Sequence, residues 1–284
     1  MQTNPLTVVL VSFRNFSWIQ ANIRVVCKLN KNCYINFIII DNDKQVRHLV
    51  NKFRLTLLKR VLSNQNIEIS LYKKKEEFLA SKGSIQHARA LDESKYYIKS
   101  EETVVLDPDC FILFNNWMDS LANYMASYSV DVFGFPEAKS DINRIDDFDS
   151  MFYKYISPLP FFLFGRKSVI FNQTFLPSDG IPAGDTGFAL SKSCLEGNYD
   201  FKIAKAFSTR VNTAEIDFMN NYSCTFYKFS EIIDGVIGVH FGRGSNPFGK
   251  NRQEMSMFLR LYKSIIEPIT FRRKVIKLAN RLSE

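Results

Sequence analysis

The sequence predicts an α/β protein: a mixed, mostly parallel sheet flanked by helices, with a helical extension at the C-terminus. Three observations carry this. Short apolar runs alternate with longer amphipathic stretches up to Phe114, the pattern of successive right-handed βα units. One run, Val104-Val105-Leu106, is too short for a helix and ends in Asp107-Pro108-Asp109, two carboxylates where open α/β sheets hold ligands. The chain of 284 residues is 46% hydrophobic and 14% aromatic, enough for a sizeable core.

Taken in order, Thr7 to Phe13 reads as a first buried strand, and Ser17 as the N-cap of a helix from Trp18 to Leu29. Tyr34 to Ile40 is a second strand, stopped by Asp41-Asn42-Asp43. A helix from Gln45 to Leu62, a strand from Ile67 to Tyr72 and a lysine-rich connection follow. Gly83-Ser84 opens a helix that runs from Ile85 to Lys99 and leads into the Asp107 strand. Beyond Asp109 the pattern loosens. Trp117 to Tyr128 is helical and Val130 to Phe135 a strand. Asp141 to Asp149 reads as a solvated acidic loop, and the proline-broken Pro158 to Phe164 as core, a subunit contact or a wall for a lipid-like substrate. A Gly/Pro-rich loop, Ser178 to Gly187, precedes a helix from Phe188 to Leu195. Gly235 to Phe241 is a late strand ahead of Gly242-Arg243-Gly244-Ser245, and Arg252 to Glu267 an amphipathic helix.

Net charge is +8 and the isoelectric point about 9.1, which suits anionic partners. Five cysteines with no Cys-x-x-Cys spacing predict free thiols and a reducing, cytoplasmic setting. The opening residues lack a basic segment, so no signal peptide is expected, and no run approaches the ~18 apolar residues of a membrane span.

Asp107 and Asp109 at a buried strand end would be costly unpaired, and a divalent cation is the usual remedy; the same pair also fits a plain turn. Asp41 ends the second strand on the same rim, where an Asp can accept hydrogen bonds from a nucleobase or ribose or serve the following turn. His240 reads either as a ligand or as a hydrogen-bonded strand histidine. Asp185 precedes the Phe188 helix and equally fits an N-cap.

In order, VVLVSFRN, FIIIDND, GSIQHARALDES, VVLDPDC, a Gly-Asp-Thr-Gly loop and VHFGRGS make the chain resemble family 2-type glycosyltransferases of the GT-A fold, over roughly residues 5 to 246. That resemblance implies a Rossmann-like GT-A fold and transfer of a sugar from a nucleotide-diphosphate donor to a glycan or lipid-linked acceptor. The setting it suggests is synthesis of a bacterial surface polysaccharide such as capsule, O-antigen or lipooligosaccharide. It further implies that Asp41 contacts the base and Asp107 the ribose or donor sugar. Asp109 binds the metal with Asp107, and His240 is a further ligand. Arg89, with His87 beside it, faces the diphosphate or the two carboxylates, and Arg243 and Ser245 hold diphosphate oxygens. The metal is Mn²⁺ or Mg²⁺, an imidazole ligand favouring Mn²⁺. Asp185 is the general base of an inverting transfer, with Asp179 as competitor. Where family members often carry Glu-Asp, this chain has Gly184-Asp185.

Residues 1–250 are expected to form the transferase domain, with 1–114 binding the nucleotide sugar and 115–250 the acceptor. Residues 251–284 are expected to form basic amphipathic helices. In the tail, Val275, Leu278, Ala279 and Leu282 recur at helical spacing among Arg272, Arg273, Lys274, Lys277 and Arg281. This reads either as a contact with an anionic membrane at its cytoplasmic face or as a helix docked on the domain. A homo-oligomer is also compatible. Two other functions fit less well. A nucleotidyltransferase usually has a Gly-rich basic segment where Ser12-Phe13-Arg14-Asn15 stands, and a nucleic-acid-binding protein needs a motif that is not visible, so no nucleic-acid partner is expected.

Overall fold

The computed structural model describes residues 5–13, 15–63, 65–74, 83–137, 156–176, 186–207, 224–241 and 267–283. The first half alternates as predicted: β1 (Leu6–Ser12), α1 (Phe16–Leu29), β2 (Ile35–Asp41), α2 (Gln45–Val61), β3 (Ile67–Lys73), α3 (Gly83–Ser94) and β4 (Glu102–Leu106). Then come β5 (Cys110–Ile112), α4 (Trp117–Tyr128), β6 (Val132–Phe135), β7 (Leu159–Arg166) and the single turn α5 (Lys167–Ile170). The described chain ends with α6 (Phe188–Leu195), β8 (Phe201–Ile203), β9 (Lys205–Phe207), β10 (Thr225–Phe229), β11 (Ile233–His240) and α7 (Glu267–Leu282).

A seven-stranded sheet runs β3-β2-β1-β4-β7-β6-β8. β3, β2, β1 and β4 are mutually parallel, β7 is antiparallel to both β4 and β6, and β8 is parallel to β6. A second, four-stranded sheet, β5-β11-β10-β9, is antiparallel throughout. The mixed, mostly parallel sheet flanked by helices, with a C-terminal helix, is therefore present as expected.

Of the parallel strands, β1, β2 and β4 are buried on both faces over most of their length, which explains their largely apolar sequence, while β3 is half-exposed with only Ile69 buried. Leu6, Val8, Leu10, Phe37, Ile39 and Val104 face one core, with α1, α4, α7 and the second sheet. Val9, Val11, Ile38, Ile40 and Val105 face the other, with Ala88, Ala90 and Leu91 of α3 and Leu190 of α6. Phe133, Phe162 and Trp117 close the first core edge to face: Trp117 meets Phe162 at 5.7 Å and 73°.

Several elements depart from expectation. Ser17 lies inside α1, whose cap position is Asn15, and the Asn15 Oδ1 accepts the Phe13 N–H. The proline-broken segment is β7, in the middle of the sheet. Its prolines are tolerated because β4 pairing begins only at Leu106↔Phe162 and the register with β6 is irregular between Gly134 and Phe135, so Pro160 owes no hydrogen bond to either ladder. The close approach of β6 and β7 also needs Gly134, where a Cβ would lie 2.5 Å from the Pro158 side chain. The acidic run at 141–149, the Gly/Pro-rich loop through residue 185 and the segment 242–266 lie outside the described residues.

The tail helix docks on the protein. Phe271, Val275, Leu278 and Ala279 of α7 are buried in the same cluster as Trp18 and Ile19 of α1. Phe271 meets Phe241 at 4.7 Å and Trp18 at 6.0 Å, and the Arg272 guanidinium lies 4.8 Å from the Trp18 ring centre. The apolar side of the tail thus covers α1 and is not presented to a bilayer. Among the described residues no helix is long and apolar enough to cross a membrane. Phe271→Ala is expected to cost about 3–5 kcal/mol in denaturant unfolding; an essentially unchanged midpoint would mean α7 is not part of the cooperative unit.

Candidate active site

The site lies where the chain passes from one sheet to the other. β4 ends at Leu106 in the large sheet, β5 begins at Cys110 in the small one, and Asp107-Pro108-Asp109 is the junction. The junction is pinned from several directions. The Asp107 N–H donates to the Phe161 carbonyl of β7 at 2.9 Å, the Cys110 N–H to the Asp107 carbonyl at 2.9 Å, and the Phe241 N–H to the Asp109 carbonyl at 3.0 Å. Asn22 of α1, fully buried, donates its amide to the carbonyls of Cys110 (2.7 Å), Asp107 (3.3 Å) and Pro108 (3.3 Å). Three acceptors around one end of the amide fix its orientation, since a flip would set oxygen against oxygen.

β11 supplies the third member. It pairs antiparallel with β5 so that His240 stands opposite Cys110, beside Asp109. His240 Nε2 is 3.4 Å from Asp109 Oδ1 and 3.9 Å from Asp107 Oδ2. Phe161 covers the imidazole, with ring centres 4.6 Å apart. Gly238, two residues earlier, lets β11 cross the Phe135 ring, which a Cβ would approach to 2.7 Å. Asp107, Asp109 and His240 each offer a ligand atom, all within 4.8 Å of one another. Donors held at about 2.0–2.6 Å from one ion are at most about 5 Å apart, so the three fit a single divalent cation. Two carboxylate oxygens and an imidazole nitrogen form a set that takes Mn²⁺ more readily than Mg²⁺.

Burial works against a charged His240, yet Asp109 and Asp107, with a smaller push from Glu137, outweigh it and set its pKa above the ordinary histidine value. Only the unprotonated nitrogen can ligate a metal, so protonation of His240 and metal binding would compete. Burial, then the neighbouring charges of Cys110, Glu137, Asp107 and Asp109, likewise push the Tyr227 hydroxyl well up. The Cys110 thiol is raised by burial and by both aspartates, which removes it as a nucleophile. All five cysteines are buried and none is in a disulfide; burial pushes Cys27, Cys33 and Cys194 up to about 12.

The other residues singled out in the sequence are placed as follows. His87 of α3 joins the cluster, its Nε2 3.5 Å from Asp107 Oδ1. Arg89 is half-buried, two positions further along α3. Asp41 shares the rim, paired with Ser12 across β1 and β2, but is fully buried and its oxygens are engaged within the chain. Oδ1 accepts the Asp43 N–H at 3.0 Å; Oδ2 lies 2.9 Å from His48 Nδ1 and accepts from Asn51 Nδ2 at 3.2 Å. In this arrangement Asp41 fastens the start of α2 to β2 and offers no oxygen to a nucleobase. Asp185, Asp179, Arg243 and Ser245 lie outside the described residues. Asn22 and Glu137 were not foreseen. Neither carries a local signal, although a polar Asn in the apolar run of α1 marks a buried position in need of a partner.

No family model matches the chain, and no curated protein does. Among solved structures, it is similar to TarS residues 1–349 of S. aureus, at 11% identity and TM-score 0.42, over 70% of this chain and 57% of that one. A mannosyltransferase from Pyrobaculum calidifontis, in complex with GDP-Man and Mn²⁺, aligns at 12% identity and TM-score 0.48, over 70% and 54%. An inositol-1-phosphate CTP transferase from T. maritima aligns at 11% identity and TM-score 0.43, over 72% and 86%. The chain thus spans somewhat more than half the length of the first two. At such identities the likeness concerns the layered architecture alone.

Asn22→Ala removes one donor from each of three carbonyls, of which that of Asp107 keeps the Cys110 N–H. An expected loss of about 1–3 kcal/mol should be read in denaturant unfolding, together with weaker Mn²⁺ binding in a calorimetric titration, because the junction that aims both carboxylates is loosened. Unaltered Mn²⁺ affinity would show that the junction keeps its shape without the clamp.

Proposed function

We propose that the chain is a metal-dependent glycosyltransferase moving a sugar from a nucleotide-diphosphate donor to a glycan or lipid-linked acceptor. The observation that carries this is the convergence of Asp107, Asp109 and His240 at the carboxyl end of the parallel strands, where open α/β sheets bind ligands. Asp109, Asp107 and His240 would hold the cation, which supplies charge neutralisation to a diphosphate leaving group. His87, next to Asp107, adds a donor on the α3 side of the same carboxylate. Asp41 acts as a positioning residue, ordering the start of α2 at the rim. From the sequence resemblance, Arg243 and Ser245 are assigned to diphosphate oxygens and Arg89 to the diphosphate or to the carboxylates of Asp107 and Asp109. Asp185 is assigned, with Asp179 as the alternative, to accept the proton of the attacking hydroxyl in an inverting transfer. Bacterial surface polysaccharide synthesis, at the cytoplasmic face of the membrane, is the setting that matches this chemistry.

The test is turnover of a panel of nucleotide-diphosphate sugars with and without Mn²⁺. Release of nucleoside diphosphate is expected, and Asp109→Ala should abolish both turnover and metal-dependent nucleotide binding while the protein stays folded. Release of pyrophosphate from a nucleoside triphosphate would instead mark a nucleotidyltransferase, and metal-dependent binding that survives in the variant would remove Asp109 from the site.

The base assignment has its own test. Asp185→Asn keeps the shape and capping ability of the side chain but cannot take a proton. It should lower kcat by about 10²–10⁴-fold and spare donor binding, whereas a residue that only caps a helix would leave the Asn variant near normal. Retention of anomeric configuration in the product would rule out a single displacement altogether.

A further inference from the structure

α2 is apolar on two opposite faces. Asn51, Leu55 and Leu58 point into the protein. On the other side Val46, Leu49, Val50, Phe53, Leu57 and Val61 are exposed, with Val46 75%, Phe53 64% and Val61 68% accessible. At 100° per residue these six fall within an arc of about 120°, on the side away from the buried face. The ridge is about 25 Å long. Arg47 lies along one flank and Lys52 and Lys59 along the other, and all three are exposed. α2 contains no Asp or Glu, and neither does α1. Asp41 and Asp43 meet α2 only at its first turns, through His48, Asn51 and Arg47, and both are buried.

The surface beside the ridge has the same character. Val61 and Leu62 at the end of α2 share a cleft with Arg24 and Lys28 of α1 and Ile276 and Asn280 of α7. A neighbouring cleft between α1 and α7 is lined by Arg24, Arg272 and Arg273 with the polar Ser17 and Gln20. Burial first, and then the charge of Arg54 on α2, lower the Arg272 pKa to about 10, a sign of how closely cations are gathered here. Arg273, Lys277 and Arg281 of α7 are exposed.

We infer that the outward face of α2, with the basic surfaces of α1 and α7 beside it, docks the protein on an anionic lipid surface. Charge complementarity selects this occupant. A second copy of the chain meeting the ridge about a two-fold axis would set the same cations against one another. A protein groove would usually be filled by aromatic anchors with polar tips, but this ridge is Val, Leu and a single Phe on a convex helix, with the exposed Arg60 in the same arc near its C-terminal end. Aliphatic side chains flanked on both sides by Lys and Arg are what a helix lying in the headgroup region presents: the apolar arc enters the acyl boundary and the cations meet phosphates. The inference is independent of the chemistry proposed for the site, and it assigns the lipid contact to α2, whose outer face is open, in place of the tail helix, whose apolar side is covered.

The test is co-sedimentation of the full chain with vesicles of phosphatidylcholine containing phosphatidylglycerol, against phosphatidylcholine alone. Binding is expected only with the anionic lipid and should fall as salt is raised. The exposed triple substitution Leu49→Ser/Phe53→Ser/Leu57→Ser should lower it by about tenfold or more without changing net charge. As a second reading, Phe53→Trp places an indole on the ridge, while the native Trp18 and Trp117 are buried. Its emission should shift to the blue on adding anionic vesicles. Full-length protein that stays in the supernatant at low salt, a triple variant that binds as well as the parent, or a Phe53→Trp variant whose emission is indifferent to vesicles would each overturn the inference. So would self-association of the parent chain that the triple variant abolishes.

Discussion

The rest of the site depends on one constraint: the chain must leave a parallel sheet and enter an antiparallel one within three residues, and it does so on two carboxylates. Pro108 narrows the backbone choices between them. Asn22 and the carbonyl of Phe161 then tie the turn to α1 on one side and β7 on the other. Because β5 must pair with β11, the same constraint brings His240 from 131 residues further along the chain to the side of Asp109. Site and fold are thus one problem: the register that closes the small sheet is the register that completes the three-donor cluster.

Much of this was legible in the sequence. The alternation from β1 to β4 stands out because β1, β2 and β4 are largely buried on both faces and each helix has a polar side, and Asp41 and Asp107 fall where their apolar runs stop. What was not legible has physical reasons. β5, β8 and β9 are three residues each, too short for a periodicity to show. β7 is disguised by two prolines, of which Pro158 precedes the strand and Pro160 falls where the pairing with β6 is irregular. Asn22 and Glu137 act across the fold, and a single sequence offers no measure of which distant carbonyl or imidazole will meet them.

Asp41 shows how a correct placement can accompany a different role. It sits on the predicted rim at the predicted strand end, yet its carboxylate is spent on His48, Asn51 and the Asp43 N–H. The residue builds the ground on which α2 stands. The α2 helix in turn needs that anchor, since it contributes only Leu55 and Leu58 to the hydrophobic core. A helix with so little buried apolar surface is held as much by its polar root as by packing.

The five buried cysteines, none of them in a disulfide, have a practical consequence. With their thiols shielded and three of them raised to about 12, alkylating reagents at neutral pH should modify the folded protein only through transient openings. Cys27, Cys110 and Cys224 belong to the core shared by α1 and the small sheet, and Cys194 to the core on the opposite side of the large sheet. The order in which native cysteines acquire label, read by peptide mass, would therefore chart which half of the protein breathes first, with no probe introduced.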